Sequence, residues 1–438
     1  MRPKLEFRRP RAHTTYRWLP LAALVLPFTM GMDDQSCVSS HLPDQIVNQS
    51  PQAVRVQLRD STGATVDGQV ELFVGPDHEP GRSLGVVATQ SGTATFPAVP
   101  LEPGLQKLSG TTRRVVDGVA IESDIKPQLI TLRSDLRPAG RQEVVFTWQA
   151  IADTRLRELA RQSLTPTPSS ADVERFVRDV KARARQMFTT LYEPFDVVLV
   201  DQPSPGNSGV VTVRFEDSAP FIGSPLGTTI ASIDPADIAR GIPDYNNKRK
   251  TQIARVLVGT IKQFLVDDGR LFNETAAQPS DSLELRIRDV GIMLGRIAAH
   301  EVGHTLGLVS DVNIIRDTLP QIQQLIPDMT LERMEQIAVG AGVELPLQDL
   351  DGCQQGHSCP QFDLDHPLAN RYNEGYFVMD PGENTKTAAF IGLDYKATPA
   401  RVEKLPEFDS FCATYLAFVQ PKPATIATIQ RAAQARSE

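Results

Sequence analysis

Residues 298 to 311, AAHEVGHTLGLVSD, constrain this chain more than any other stretch, because they set two histidines four residues apart with a glutamate between them. Positions i and i+4 of a helix share a face, so His300 and His304 present two imidazoles to one cation. Glu301 leans over the same point, and the spacing HExxH is that of a zinc hydrolase. That chemistry requires a helix, and the neighbouring residues agree. Val290, Met293 and Ile297 continue the histidine face upstream as a buried stripe. Asp281, with Glu284 three residues on, has the pattern of a capping box, and Gly307 ends the helix in a left-handed conformation. The competing reading is a pair of core histidines on an amphipathic helix, which needs no metal.

A chain of 438 residues exceeds one ordinary core and predicts two or three domains. Its 45 basic and 53 acidic residues leave a net charge of -8, which argues against nucleic acid as a partner. The basic stretch MRPKLEFRRPRAHTTYR leads into the apolar run WLPLAALVLPFTM, the layout of a signal peptide over residues 1–35. The run is short for a membrane span and contains Pro20 and Pro27, so export to a secreted, periplasmic or cell-surface location is expected rather than a stable anchor. Cleavage is expected near residues 30 to 36. An even set of cysteines in an exported chain suits disulfides. Cys353 and Cys359 close a small loop, which leaves Cys37 to join Cys412. A metal role for Cys353 and Cys359 with His357 between them is the alternative.

Residues 36–150 alternate in short runs broken by turns: VRVQLRD, QVELFVG, GVVATQ, TATFPAV, PQLITLR and QEVVFTWQ. They predict an all-β sandwich. The succession from Val54 to Phe73 is similar to the Ig-like repeats of bacterial surface proteins, which implies an accessory or spacer module; a pro-domain over the catalytic cleft is the other option. Residues 151–170 read as a helix and the linker TPTPSS, followed by an amphipathic helix with Phe176, Val177, Val180 and Ala184 on its core face. Strands follow at FDVVLVD (195–201), GVVTVRFED (209–217) and GTTIASI (227–233), and then a helix over roughly 248–266. With the HExxH helix these form a catalytic domain over 171–425, with an insertion at 311–362 and a tail at 426–438. The fold class expected is α+β.

Two histidines hold a catalytic zinc poorly, so a third protein ligand is expected, with the fourth position left to water. The extended pattern HExxHxxG resembles the metzincin clan of zinc metallopeptidases, whose third histidine follows three residues after the glycine. Ser310 stands there in this chain. Asp311 is one candidate replacement, and Glu332 or Glu335 another. The third is a histidine displaced by an insertion. The segment DHPLANRYNEGYFVMDPG (365–382) favours that option, since His366, Arg371, Met379 and Pro381 resemble the HxxxxR and MxP of the leishmanolysin-like branch and of some exported bacterial metalloproteases. The resemblance implies a metzincin-like catalytic domain with one Zn2+ held by His300, His304 and His366, Asp311 being the alternative third ligand. It also implies a methionine turn at Met379 and a protein or peptide substrate, making the chain a zinc endopeptidase with Glu301 as general base. Some metzincins carry a tyrosine two residues past that methionine to steady the oxyanion. Pro381 is there instead, with Tyr372 or Tyr376 as substitutes. The acidic cluster Asp349, Asp351, Asp363 and Asp365 offers hard oxygen ligands for Ca2+. The rival from another class is an exported adhesion or binding protein whose metalloprotease-like domain is inactive.

Overall fold

The computed structural model describes residues 27–29, 45–47, 49–132 apart from 60–63, 76–80, 103 and 117, then 136–207, 209–218, 226–228, 247, 251–308, 376–380, 385–397 and 401–423, with isolated positions at 323, 328, 330 and 333. The chain is a mixed fold of several sheets and helices, compatible with the α+β class. Among the described residues its buried apolar side chains fall into two separate clusters. No helix among those residues is long and apolar enough to cross a membrane.

The N-terminal part is all strand: β1 (Pro27–Thr29), β2 (Gln45–Val47), β3 (Gln52–Gln57), β4 (Gln69–Gly75), β5 (Arg82–Ala88), β6 (Thr93–Val99), β7 (Gly104–Val116) and β8 (Val119–Leu132). They form a three-stranded sheet, β1-β3-β6, and a five-stranded one, β2-β8-β7-β4-β5. Period-two alternation gives each strand one apolar face. Val54 and Val56 of β3, Phe96 of β6, Leu72 and Val74 of β4, and Leu108 of β7 meet in one cluster drawn from both sheets. β1 falls inside the stretch expected to be removed as a signal, and it runs parallel to β3.

The second part opens with β9 (Gln142–Trp148), α1 (Ala150–Ser163), α2 (Ser170–Tyr192), β10 (Val197–Val200), β11 (Val210–Glu216), β12 (Gly227–Thr228) and β13 (Gln252–Leu257). Its sheet has the order β10-β9-β11-β13-β12, parallel except for β12, which pairs antiparallel with β13 at one edge. Two expectations are corrected here. QEVVFTWQ does not belong with the first sheets: β9 sits between β10 and β11, and its Phe146 packs edge-on against Phe188 of α2, with ring centroids 5.1 Å apart. Alternation identifies a strand but not the sheet it joins. Residues 252–257, expected to be helical, form a strand with alternating Gln252, Ala254 and Val256 buried, and the helix begins only at Val258.

Among the described residues the further α-helices are α3 (Val258–Lys262), α4 (Arg270–Asn273), α5 (Leu283–Thr305), α6 (Thr387–Phe390) and α7 (Ser410–Val419). α2 begins at a capping box in which Ser169 and Asp172 bond each other's backbone. α5 starts differently from expectation. Its cap is Ser282, whose hydroxyl accepts from Leu285 N–H, while Asp281 accepts from Gln278 N–H. A hydroxyl one residue later reaches the first turn, and the Asp281 carboxylate is drawn to Arg401 at 3.3 Å.

α2 and α5 pack on each other through Gly291 and Gly295. A Cβ on Gly295 would lie 2.6 Å from the carbonyl oxygen of Ala184, and one on Gly291 would lie 2.5 Å from Cβ of Arg183. The pair, one turn apart, removes the side chains that would hold the helices at ordinary separation. α5 is thereby pressed between α2 and the C-terminal segments. Tyr192 at the end of α2 donates its hydroxyl to the carbonyl of Ala299, beside the first histidine.

Candidate active site

α5 ends as the sequence predicts, and its end shapes the site. Gly307 adopts φ 95°, Gly307 N–H bonds the carbonyl of His304, and Leu308 N–H bonds that of Gly303. This is the Schellman pattern, which reverses the chain directly after the second histidine. The reversal turns the carbonyl of Leu308 back onto the helix, where it accepts a hydrogen bond from His304 Nδ1 at 2.7 Å. His300 Nδ1 donates to the carbonyl of Val378 at 2.8 Å. A carbonyl only accepts, so both Nδ1 atoms carry the proton and each Nε2 presents its lone pair as an acceptor.

Those two Nε2 atoms face each other at 3.1 Å, with the rings crossing at 89°. Facing lone pairs repel unless a positive charge lies between them. Burial depresses the pKa of both imidazoles, that of His300 well below the usual range and that of His304 to about 4, so a proton is not the favoured charge near neutrality. Tetrahedral zinc with bonds of about 2.0 to 2.1 Å separates two nitrogen ligands by roughly 3.3 Å. The donor pair fits zinc, and the backbone carbonyls behind each ring are the outer partners that a metal-binding imidazole uses.

Glu301 is buried and faces the antiparallel strand β12, the outermost of its sheet among the described residues. Its carboxylate lies so close to Gly227 that a Cβ there would be 2.6 Å from Oε1. Burial pushes its pKa well above the ordinary carboxylate range, which favours holding a proton. A cation beside it pulls the other way and returns it toward a base.

Met379 is buried, and its Sδ stands 2.7 Å from the point a Cβ on Gly303 would occupy. The turn from Phe377 to Asp380, closed by Asp380 N–H on the carbonyl of Phe377, therefore lies directly beneath the helix turn that joins the two histidines. Val378 contributes through its backbone, a role that leaves no side-chain signal in a sequence. Gly227 is also absent from the expected site residues; a glycine opening a strand is the signal for it, since such a residue often marks close backbone approach. Tyr376 turns its hydroxyl to another partner. It is buried, stacked on Tyr395, and its hydroxyl is engaged with Asp394 Oδ1 at 2.5 Å.

Cys412 is buried in α7, while its expected partner Cys37 lies outside the described residues. Also outside them are His366, Asp311, Ser310, Glu332, Glu335, His357, Cys353, Cys359, Tyr372 and the acidic cluster Asp349, Asp351, Asp363 and Asp365. Among the described residues no group of three or more His, Cys, Asp or Glu comes together as a metal cluster. No family model matches the chain, and no curated protein matches it in sequence.

Proposed function

We propose that this protein is a zinc-dependent endopeptidase with a metzincin-like catalytic domain, preceded by an Ig-like β-sandwich and exported from the cell. The observation that carries the reading is the convergence of two Nδ1-protonated, buried imidazoles with Nε2 atoms 3.1 Å apart, directly above a buried methionine turn. Strand β12 beside Glu301, the outermost of its sheet among the described residues, supports it, because an open strand edge takes an extended peptide by strand addition.

When bound, zinc makes a water acidic enough to attack near neutral pH and polarises a carbonyl as a Lewis acid. His300 and His304 would hold it through Nε2, and His366, which precedes the methionine turn in sequence, would complete the protein ligands. Glu301 takes the proton of the attacking water and returns it to the leaving amine. Gly227 lets β12 lie against that carboxylate.

Metal analysis of the purified full chain tests this reading. Wild type is expected to hold one zinc per chain, with His300→Ala and His366→Ala holding none. Stoichiometric zinc in His366→Ala together with its loss in Asp311→Ala transfers the third ligand to Asp311. Wild type that takes up no zinc overturns the reading.

A further inference from the structure

Arg296 lies one helical turn before His300, and its guanidinium is almost completely buried, 1% exposed. Removing a cation from water is costly, and an apolar side chain would fill the same volume without that cost. The guanidinium instead reaches carbonyls of two different segments. Nη2 donates to the carbonyl of Phe377 at 2.6 Å and Nη1 to the carbonyl of Ala389 at 2.9 Å, while the ring of Phe390 lies 5.0 Å from its carbon. Phe377 opens the turn whose next two residues serve the histidine helix.

Three positions on one face of α5 thus meet three consecutive residues of the turn. Arg296 bonds the carbonyl of Phe377, His300 bonds that of Val378, and Gly303 admits the sulfur of Met379. Asp380 closes the turn from inside, its carboxylate accepting from Phe377 N–H at 2.9 Å. The acceptor that fixes the tautomer of His300 is one residue from the carbonyl that Arg296 holds.

We infer that Arg296 is a positioning residue for the metal site: by clamping the carbonyls of Phe377 and Ala389 it registers the methionine turn on α5, so that Val378 orients His300 for zinc. The inference rests on the zinc reading above. An outer partner that orients a metal-binding histidine, here the Val378 carbonyl, is worth about 10- to 100-fold in metal affinity.

The test is zinc affinity of the full chain, measured by competition with a chromophoric chelator on protein whose folding is verified by circular dichroism. Arg296→Met is expected to weaken zinc by about 10- to 100-fold, and Arg296→Lys, which keeps the charge but not the fork that spans two carbonyls, by less. Arg286→Met is the control. It removes another buried guanidinium from α5, while Asp289 stays bonded to Arg401, and zinc affinity is expected to match wild type. Folded Arg296→Met with wild-type affinity overturns the inference alone; where that variant does not fold, Arg296→Lys with wild-type affinity does so. Wild type that binds no zinc overturns the underlying reading and this inference with it.

Discussion

His300 and His304 are positioned by different parts of the chain, the first by a carbonyl from the distant turn and the second by its own helix end. Only the second arrangement follows from local sequence, through Gly307; the first depends on Val378, whose part is played by backbone. His304 also makes acid stability a diagnostic. Its pKa is lowered to about 4 in the metal-free site, whereas the unfolded chain titrates near 6.5. Between those values the unfolded state binds more protons, so acidification destabilises the fold. Urea unfolding of metal-free protein should show wild type losing about 2 kcal/mol more than His304→Gln between pH 6.5 and pH 5. Equal losses in the two proteins would remove the burial argument. Gly227 makes a second residue-scale prediction. The atom a new Cβ meets is the end of the Glu301 side chain, which can swing aside, so Gly227→Ala should fold and keep zinc while displacing the base. Turnover should fall by roughly 100-fold, the cost of misplacing a reacting group by about 1 Å. Unchanged turnover would show that β12 does not position Glu301.

Periodicity located α2 and α5 because both are long and strongly one-sided, with Val173, Phe176, Val180 and Met187 recurring on the buried face of α2. It misread 252–257, where QIARVL is short enough to suit either period until the parallel neighbour β11 is present. The glycine pair of α5 is a feature periodicity passes over. Glycine inside a helix costs about 1 kcal/mol against alanine, so an exposed Gly→Ala change would stabilise. Gly295→Ala is expected to do the reverse, by about 1 to 3 kcal/mol, because its Cβ would strike the backbone of Ala184 at 2.6 Å and force the helices apart. Chemical denaturation reads the sign directly. A gain in stability would mean that the close α2 and α5 contact does not govern the position of the histidine helix.

Across the whole molecule, the strands of the β-rich N-terminal part and β9, β10 and β11 of the parallel sheet are legible as alternating runs, but β13 and the sheet that β9 joins are not. Sheet membership is decided by long-range packing, here by Phe146 against Phe188 and Phe215. The same distinction runs through the site. HExxH was legible as a motif, whereas its union with Phe377 to Asp380 depends on segments about 80 residues apart, as the His300 to Val378 bond shows. The central claim is that these parts make a peptidase, and one assay tests it most directly. The full chain is incubated with casein, with and without 1,10-phenanthroline, beside Glu301→Gln. The account predicts cleavage that the chelator abolishes and added zinc restores, with Glu301→Gln retaining zinc but losing at least 100-fold in rate. Zinc-loaded wild type that leaves casein intact, or Glu301→Gln that cleaves as fast as wild type, would contradict it.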